Sequence, residues 1–300
     1  MYFGEYLRLC REGYHLTQEA LVQELYAFDD TFKSLECSAL SRWERNVVQP
    51  SIQRQLKLIH YFQKYSDRIF PCIEGIDYQE VENNLCLVGI KNLLGKSNQH
   101  IMKFPSKSFE IDDIQITQLD KESSKKNEHL PMVYSTLVNL TENGFGIEKE
   151  HLESWLSHPS SLFIIAEYHN QFFGMLFSLR LKPEVFDKVM NFKKEISTLA
   201  CLDFATFDEA GSILPFAFFA YNEMTAELLF LRYYAHLIAR QGCKEIGAVA
   251  LLEGGKKIAT QMQLELFKEQ TRVQGTFSSY RSSMLDALLN EAVLKMCFQK

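Results

Sequence analysis

Along residues 4–62 apolar positions recur every three or four residues and are broken by short polar turns, a spacing that predicts a set of short amphipathic helices. A further helical stretch is expected over residues 78–94, after Pro71. Residues 95–109 carry Gly, Pro, Ser and Lys without periodicity and read as a linker. Beyond them the pattern changes. IDDIQITQL alternates as a strand, HLPMVYSTLVNL has the helical period, and SLFIIAEY and QFFGMLFSLRL read as two strands joined by His169-Asn170. Strands over 213–221, 245–250 and 273–278, helices over 225–240 and 255–267, and an amphipathic helix over 282–298 complete the order. This predicts a multidomain chain: an all-α domain over 1–68, a helical connector and linker over 69–109, and an α/β domain with a mixed central sheet over 110–300.

Composition narrows the class. At 300 residues and 46% apolar content the chain can bury two ordinary cores. Its net charge of −6 gives no global attraction to phosphate, so any contact with nucleic acid must come from a local face. Seven scattered cysteines without Cys-x-x-Cys spacing argue against zinc ribbons and disulfide frameworks and fit a reducing cytoplasm. The histidines, His169 and His236 among them, lack metal-ligand spacing, so no metal is expected. The amino terminus does not read as a secretory signal, and the apolar run 213–221 is too short to span a bilayer.

The most specific signal lies near the start of the chain. Leu16-Thr17-Gln18-Glu19-Ala20-Leu21 offers Thr17 as an N-cap, and in Ser38-Ala39-Leu40-Ser41-Arg42-Trp43-Glu44-Arg45-Asn46 the core positions Leu40 and Trp43 leave Ser38, Ser41, Arg42 and Arg45 on other faces. With Pro50-Ser51, these residues resemble the lambda-repressor-like, XRE-type helix-turn-helix family over residues 4–62. The resemblance implies that the helix after the turn enters the major groove through Cys37, Ser38, Ser41 and Arg42, with Arg42 able to read guanine and the serines a base edge or a phosphate. It further implies that Thr17 and Gln18 approach the backbone from the preceding helix, that Arg45 or Asn46 touches phosphate, and that Arg11 and Glu44 form a partly buried structural ion pair. The connection AFDDTFKSLEC is longer than the family's tight turn, and its acids Asp29, Asp30 and Glu36 would oppose phosphate.

From about residue 110 the order of elements resembles the GNAT acetyltransferase fold, by pattern more than by motif. In that family a Gln/Arg-x-x-Gly-x-Gly/Ala turn between the fourth strand and the third helix cradles the pyrophosphate of acetyl-CoA on bare backbone amides. The equivalent stretch here is Asn222-Glu223-Met224-Thr225-Ala226-Glu227-Leu228, which has no glycine and two acids. The family's usual general-acid tyrosine has no counterpart, because its place reads Ala259-Thr260-Gln261-Met262. Gly254-Gly255 reads first as a turn and secondly as a phosphate loop; Tyr221 and Glu223 are the weak acid/base candidates. The aromatic run around Phe216 and Tyr234 is core first, and otherwise a ligand cavity or dimer interface.

These readings together describe a cytoplasmic, homodimeric, bacterial-type transcription regulator that binds double-stranded DNA. Its GNAT-like domain would be non-catalytic and serve dimerisation or the sensing of a small molecule, with no cofactor and no catalytic residue. The alternative is an acetyl-CoA-dependent N-acetyltransferase carrying a helix-turn-helix. A third reading has the helical domain dock a protein.

Overall fold

The computed structural model describes residues 1–66, 70–73, 113–123, 125–141, 145–239, 242–289 and 291–298. The helix expected over 78–94 and the linker over 95–109 lie outside them. The chain divides into two units, one formed by Met1–Val88, Tyr234–Gln241 and Leu288–Lys300, the other by Gly89–Tyr233 and Gly242–Ala287.

The first unit is built on four helices from the amino-terminal stretch: α1 (Phe3–Gly13), α2 (Gln18–Phe28), α3 (Cys37–Glu44) and α4 (Ile52–Phe62). On α1 the residues Phe3, Tyr6, Leu7 and Cys10 form one buried stripe at helical spacing. Leu21 and Leu25 of α2, Leu40 and Trp43 of α3, and Leu58, Ile59 and Phe62 of α4 complete this part of the core. Thr17 caps α2 as its residue type predicts, accepting the Ala20 amide at 3.1 Å. The long connection between α2 and α3 is packed. It forms a 3-10 turn over Asp30–Phe32, and Phe32 and Leu35 are buried. Its acids are met internally: Asp29 accepts Lys57 at 2.7 Å, Asp30 accepts Lys33 at 2.8 Å, and Glu36 accepts the Ser38 hydroxyl at 3.2 Å.

The second unit holds a seven-stranded sheet: β1 (Ile114–Leu119), β2 (Leu162–Tyr168), β3 (Gln171–Leu181), β4 (Gly211–Ala220), β5 (Cys243–Ala250), β6 (Glu265–Arg272) and β7 (Gly275–Ser283). The strand order is β1-β2-β3-β4-β5-β7-β6, antiparallel throughout except for the parallel pair β4/β5. This mixed, mostly antiparallel α/β architecture after a helical region is consistent with the GNAT-like expectation. Its helices are α5 (Lys126–Thr141), α6 (Lys149–Leu156), α7 (Pro183–Met190), α8 (Glu223–Ala239, counted in the first unit from Tyr234), α9 (Glu253–Gln261) and α10 (Met284–Leu288, counted in the first unit at Leu288); α11 (Glu291–Cys297) belongs to the first unit. The β2–β3 turn takes positive φ at both His169 (48°) and Asn170 (60°), matching the twist of a two-residue hairpin.

Three expectations along the last third of the chain are corrected. The helix expected over 255–267 ends at Gln261; Gln263, at φ 60°, turns the chain, and Glu265–Arg272 runs as an exposed edge strand. Leu266 continues the four-residue spacing of Ile258 and Met262, which hid the break. The strand expected over 273–278 is β7, beginning at Gly275, with Val273 fully exposed in the turn before it. The expected 282–298 helix is two shorter ones, with Ser282 and Ser283 still paired in β7.

Candidate functional site

In the first unit, the sequence-predicted residues collect around α3. Leu40, Trp43 and Glu44 face inward, whereas Ser38, Arg42 and Arg45 are exposed and Cys37 and Ser41 half-buried. The Arg42 guanidinium has no hydrogen-bond or ion-pair partner among the described residues. Arg45 donates through Nε to the Ser41 carbonyl at 3.2 Å. The inner side of α3 is fixed by Glu44, which accepts Arg11 at both oxygens (2.5 and 3.1 Å) and Gln18 Nε2 at 2.7 Å. The ion pair implied by the resemblance is therefore present. Gln18 has its amide engaged with Glu44, and Thr17 lies exposed at the start of α2. Asn46, at φ 55°, closes α3 and accepts the Gly4 amide at 2.9 Å; a Cβ at Gly4 would overlap the Trp43 carbonyl, so glycine is required there.

In the second unit, a cleft opens within the sheet. β4 and β5 pair at Gly211↔Cys243, Ser212↔Glu245 and Ile213↔Ile246, and diverge beyond Ile213. Pro215 brings no amide to a ladder, and the β3/β4 register shifts around Phe216, so β4 bends where the gap begins. At the closed end Arg180, buried, donates to the Thr206 carbonyl (3.1 Å), the Glu209 carbonyl (2.6 Å) and Cys243 Sγ (2.6 Å). Burial pushes the Cys243 thiol up, and Arg180 offsets this only in part. The open end is a gap of about 800 Å³, open solvent included, between Phe216 and Phe218 of β4, Phe230 of α8, Val249 of β5, and Ile258 and Met262 at α9. Tyr233 supplies the one polar side-chain atom among the described lining residues, and its hydroxyl lies 3.2 Å from that of Ser178.

The turn equivalent to a pyrophosphate cradle is capped by one of its own side chains. Asn222 Oδ1 accepts the Thr225 amide at 2.8 Å, and both residues are buried at the start of α8. Sequence reasoning passed over Asn222, although Asn-x-x-Thr before an apolar helix is N-cap spacing and could have marked it. Tyr221 stacks on Phe173 at 5.1 Å, and Glu223 is exposed. Leu252 gives α9 no side-chain cap, and Gly255 borders the cleft.

One further cluster was not foreseen. Glu167 on β2 is buried and accepts Thr117 of β1 (2.9 Å) and Lys125 before α5 (2.6 Å), with His129 Nε2 of α5 at 3.0 Å. Burial pushes its carboxyl up, but these partners overcome that and hold it below the usual carboxylate range. Among the described residues no group of three His, Cys, Asp or Glu could hold a metal ion, and no helix is long and apolar enough to cross a membrane.

No family model and no curated protein matches the chain. Among solved structures, the chain is similar to NAA60 of Arabidopsis thaliana in complex with acetyl-CoA (7% identity, 57% of this chain and 98% of that one, TM-score 0.38). It is also similar to FeeM, an N-acyl amino acid synthase from uncultured soil microbes (8%, 60% and 97%, TM-score 0.43). A third is aminoglycoside 6'-acetyltransferase type Ii (12%, 57% and 97%, TM-score 0.36). All three TM-scores lie below 0.5.

Proposed function

We propose that the protein is a cytoplasmic, sequence-specific DNA-binding transcription regulator, acting as a homodimer, whose α/β unit is a non-catalytic ligand-sensing or dimerisation module. The observation that carries this reading is α3: its inner side is pinned by Glu44, while Arg42 projects with an uncommitted guanidinium beside Ser38 and Ser41. Arg42 reads a base through two donors, Ser38 and Ser41 take a base edge or phosphate, and Cys37 packs against the groove. Thr17, Arg45 and Asn46 lie along the backbone, and Gln18 contributes by holding Glu44. Two such heads on a two-fold axis match a pseudo-palindromic site.

The test is selection from a random duplex pool at physiological salt, followed by Arg42→Ala on the selected site. The variant is expected to lose about 1–3 kcal/mol there and little on random DNA. Failure to enrich any sequence would sink the reading.

A second reading, an acetyl-CoA-dependent N-acetyltransferase carrying the helical domain, is favoured by the diverging strands β4 and β5 and the apolar cleft between them. The Asn222 cap opposes it, because a backbone amide that a cofactor phosphate would need is already engaged.

A further inference from the structure

The cleft between β4 and β5 is apolar along its walls and presents no charged side chain to an occupant. A polar hollow bordered by Glu253, Lys256, Gln274 and Thr276 adjoins it, because Leu251 and Leu252 line both. The Lys256 side chain is mostly covered, at 21% exposure, and pairs with Glu253 at 2.8 Å, while Glu253 itself is 73% exposed, so water competes for this carboxylate and another can exchange with it. An occupant matching both regions has a long aliphatic part and one anionic end. Each methylene removed from water adds a similar increment of affinity, so a medium chain gains several times what an acetyl group could. At the other turn, where a coenzyme phosphate would need backbone amides, Asn222 already takes the Thr225 amide.

We propose that the cleft binds a free medium-chain fatty acid, its tail between β4 and β5 and its carboxylate replacing Glu253 on Lys256, with no coenzyme A attached. This names the ligand of the sensing module and rests on that reading for its role, while its test needs no DNA.

The full-length protein is titrated calorimetrically with decanoate, decanol, decanoyl-CoA and acetyl-CoA. Decanoate is expected to bind saturably, decanoyl-CoA no more tightly, and acetyl-CoA not at all. Lys256→Ala should weaken decanoate about tenfold, the scale of one lost charge-assisted hydrogen bond, and leave decanol unchanged. A decanoate analogue with a diazirine on its tail, used on the unaltered protein, should label peptides containing Phe216–Phe218 and Val249–Leu252. That measurement stands even where a variant does not fold. Labelling elsewhere, absence of decanoate binding, or equal effects of Lys256→Ala on acid and alcohol would overturn the assignment. Tighter binding of decanoyl-CoA would overturn it in favour of the transferase reading. Loss of the DNA reading alone, with decanoate still bound, would remove the regulator and leave the ligand in place.

Discussion

Two buried carboxylates, one in each unit, do the same job by different means. Glu44 ties together α1, α2 and α3 through a two-pronged contact with Arg11 and the amide of Gln18. Glu167 ties β1, β2 and the start of α5 through a lysine, a threonine and a histidine. The difference lies in the cations. Arg11 has 13% of its side chain exposed and meets both Glu44 oxygens with a planar fork, while Lys125 is 33% exposed and offers a single point charge to one oxygen. The first carboxylate rests on one arginine fork and one amide; the second shares its load among three side chains.

That contrast is broken most directly by Arg11→Met, which leaves Glu44 charged and buried beside Gln18 alone. It should destabilise the helical unit by about 3–5 kcal/mol in thermal melts, and the double variant Arg11→Met with Glu44→Leu should recover most of the loss. Recovery of nothing would mean that the pair's geometry, not its uncompensated charge, supports the fold. Lys125→Met should cost less, about 1–3 kcal/mol, because Thr117 and His129 still serve Glu167. A loss as large as that of Arg11→Met would erase the distinction.

The smallest effect belongs to a carboxylate nearer the surface. Glu24 accepts Lys64 (2.5 Å), Tyr61 (2.7 Å) and Tyr65 (3.0 Å), and these bonds lower its pKa from the usual 4.5 to about 2. A pKa lowered by folding adds stability that is fully present above the unfolded value and lost as pH falls from there towards the folded one. Denaturation midpoints should therefore decline modestly between about pH 5 and pH 2. Glu24→Gln should flatten that limb, and an unchanged slope would assign it to other groups.

Much of the helical unit was legible because its contacts repeat at short range. The buried stripe of α1 and the Thr17 cap follow from spacing within a single helix, whereas the Arg11–Glu44 pair, 33 residues apart, was implied only by the family resemblance. Glu167 gave no such sign, since its partners come from β1 and the start of α5, 38 to 50 residues before it, and single acids on strands are common. The α/β order was readable wherever the period changed sharply. It blurred at Gln263, where an apolar spacing carried across a turn, and α6 and α7 went unmarked because each is only eight residues long. The cleft could not have been seen at all. It arises from where two strands stop pairing, and pairing is a relation between distant segments rather than a property of either.

Phe298 lies against Phe3 and Tyr6, with ring centroids 5.0 Å away in both cases, and α11 packs on α4. During synthesis, the amino-terminal helices therefore emerge long before the aromatic ring that finishes their core. Until residue 298 has left the ribosome, they must wait with Phe3 and Tyr6 partly uncovered. A fragment cut after α4 would keep every residue on which the helix-turn-helix resemblance rests and still lack its own last core side chain.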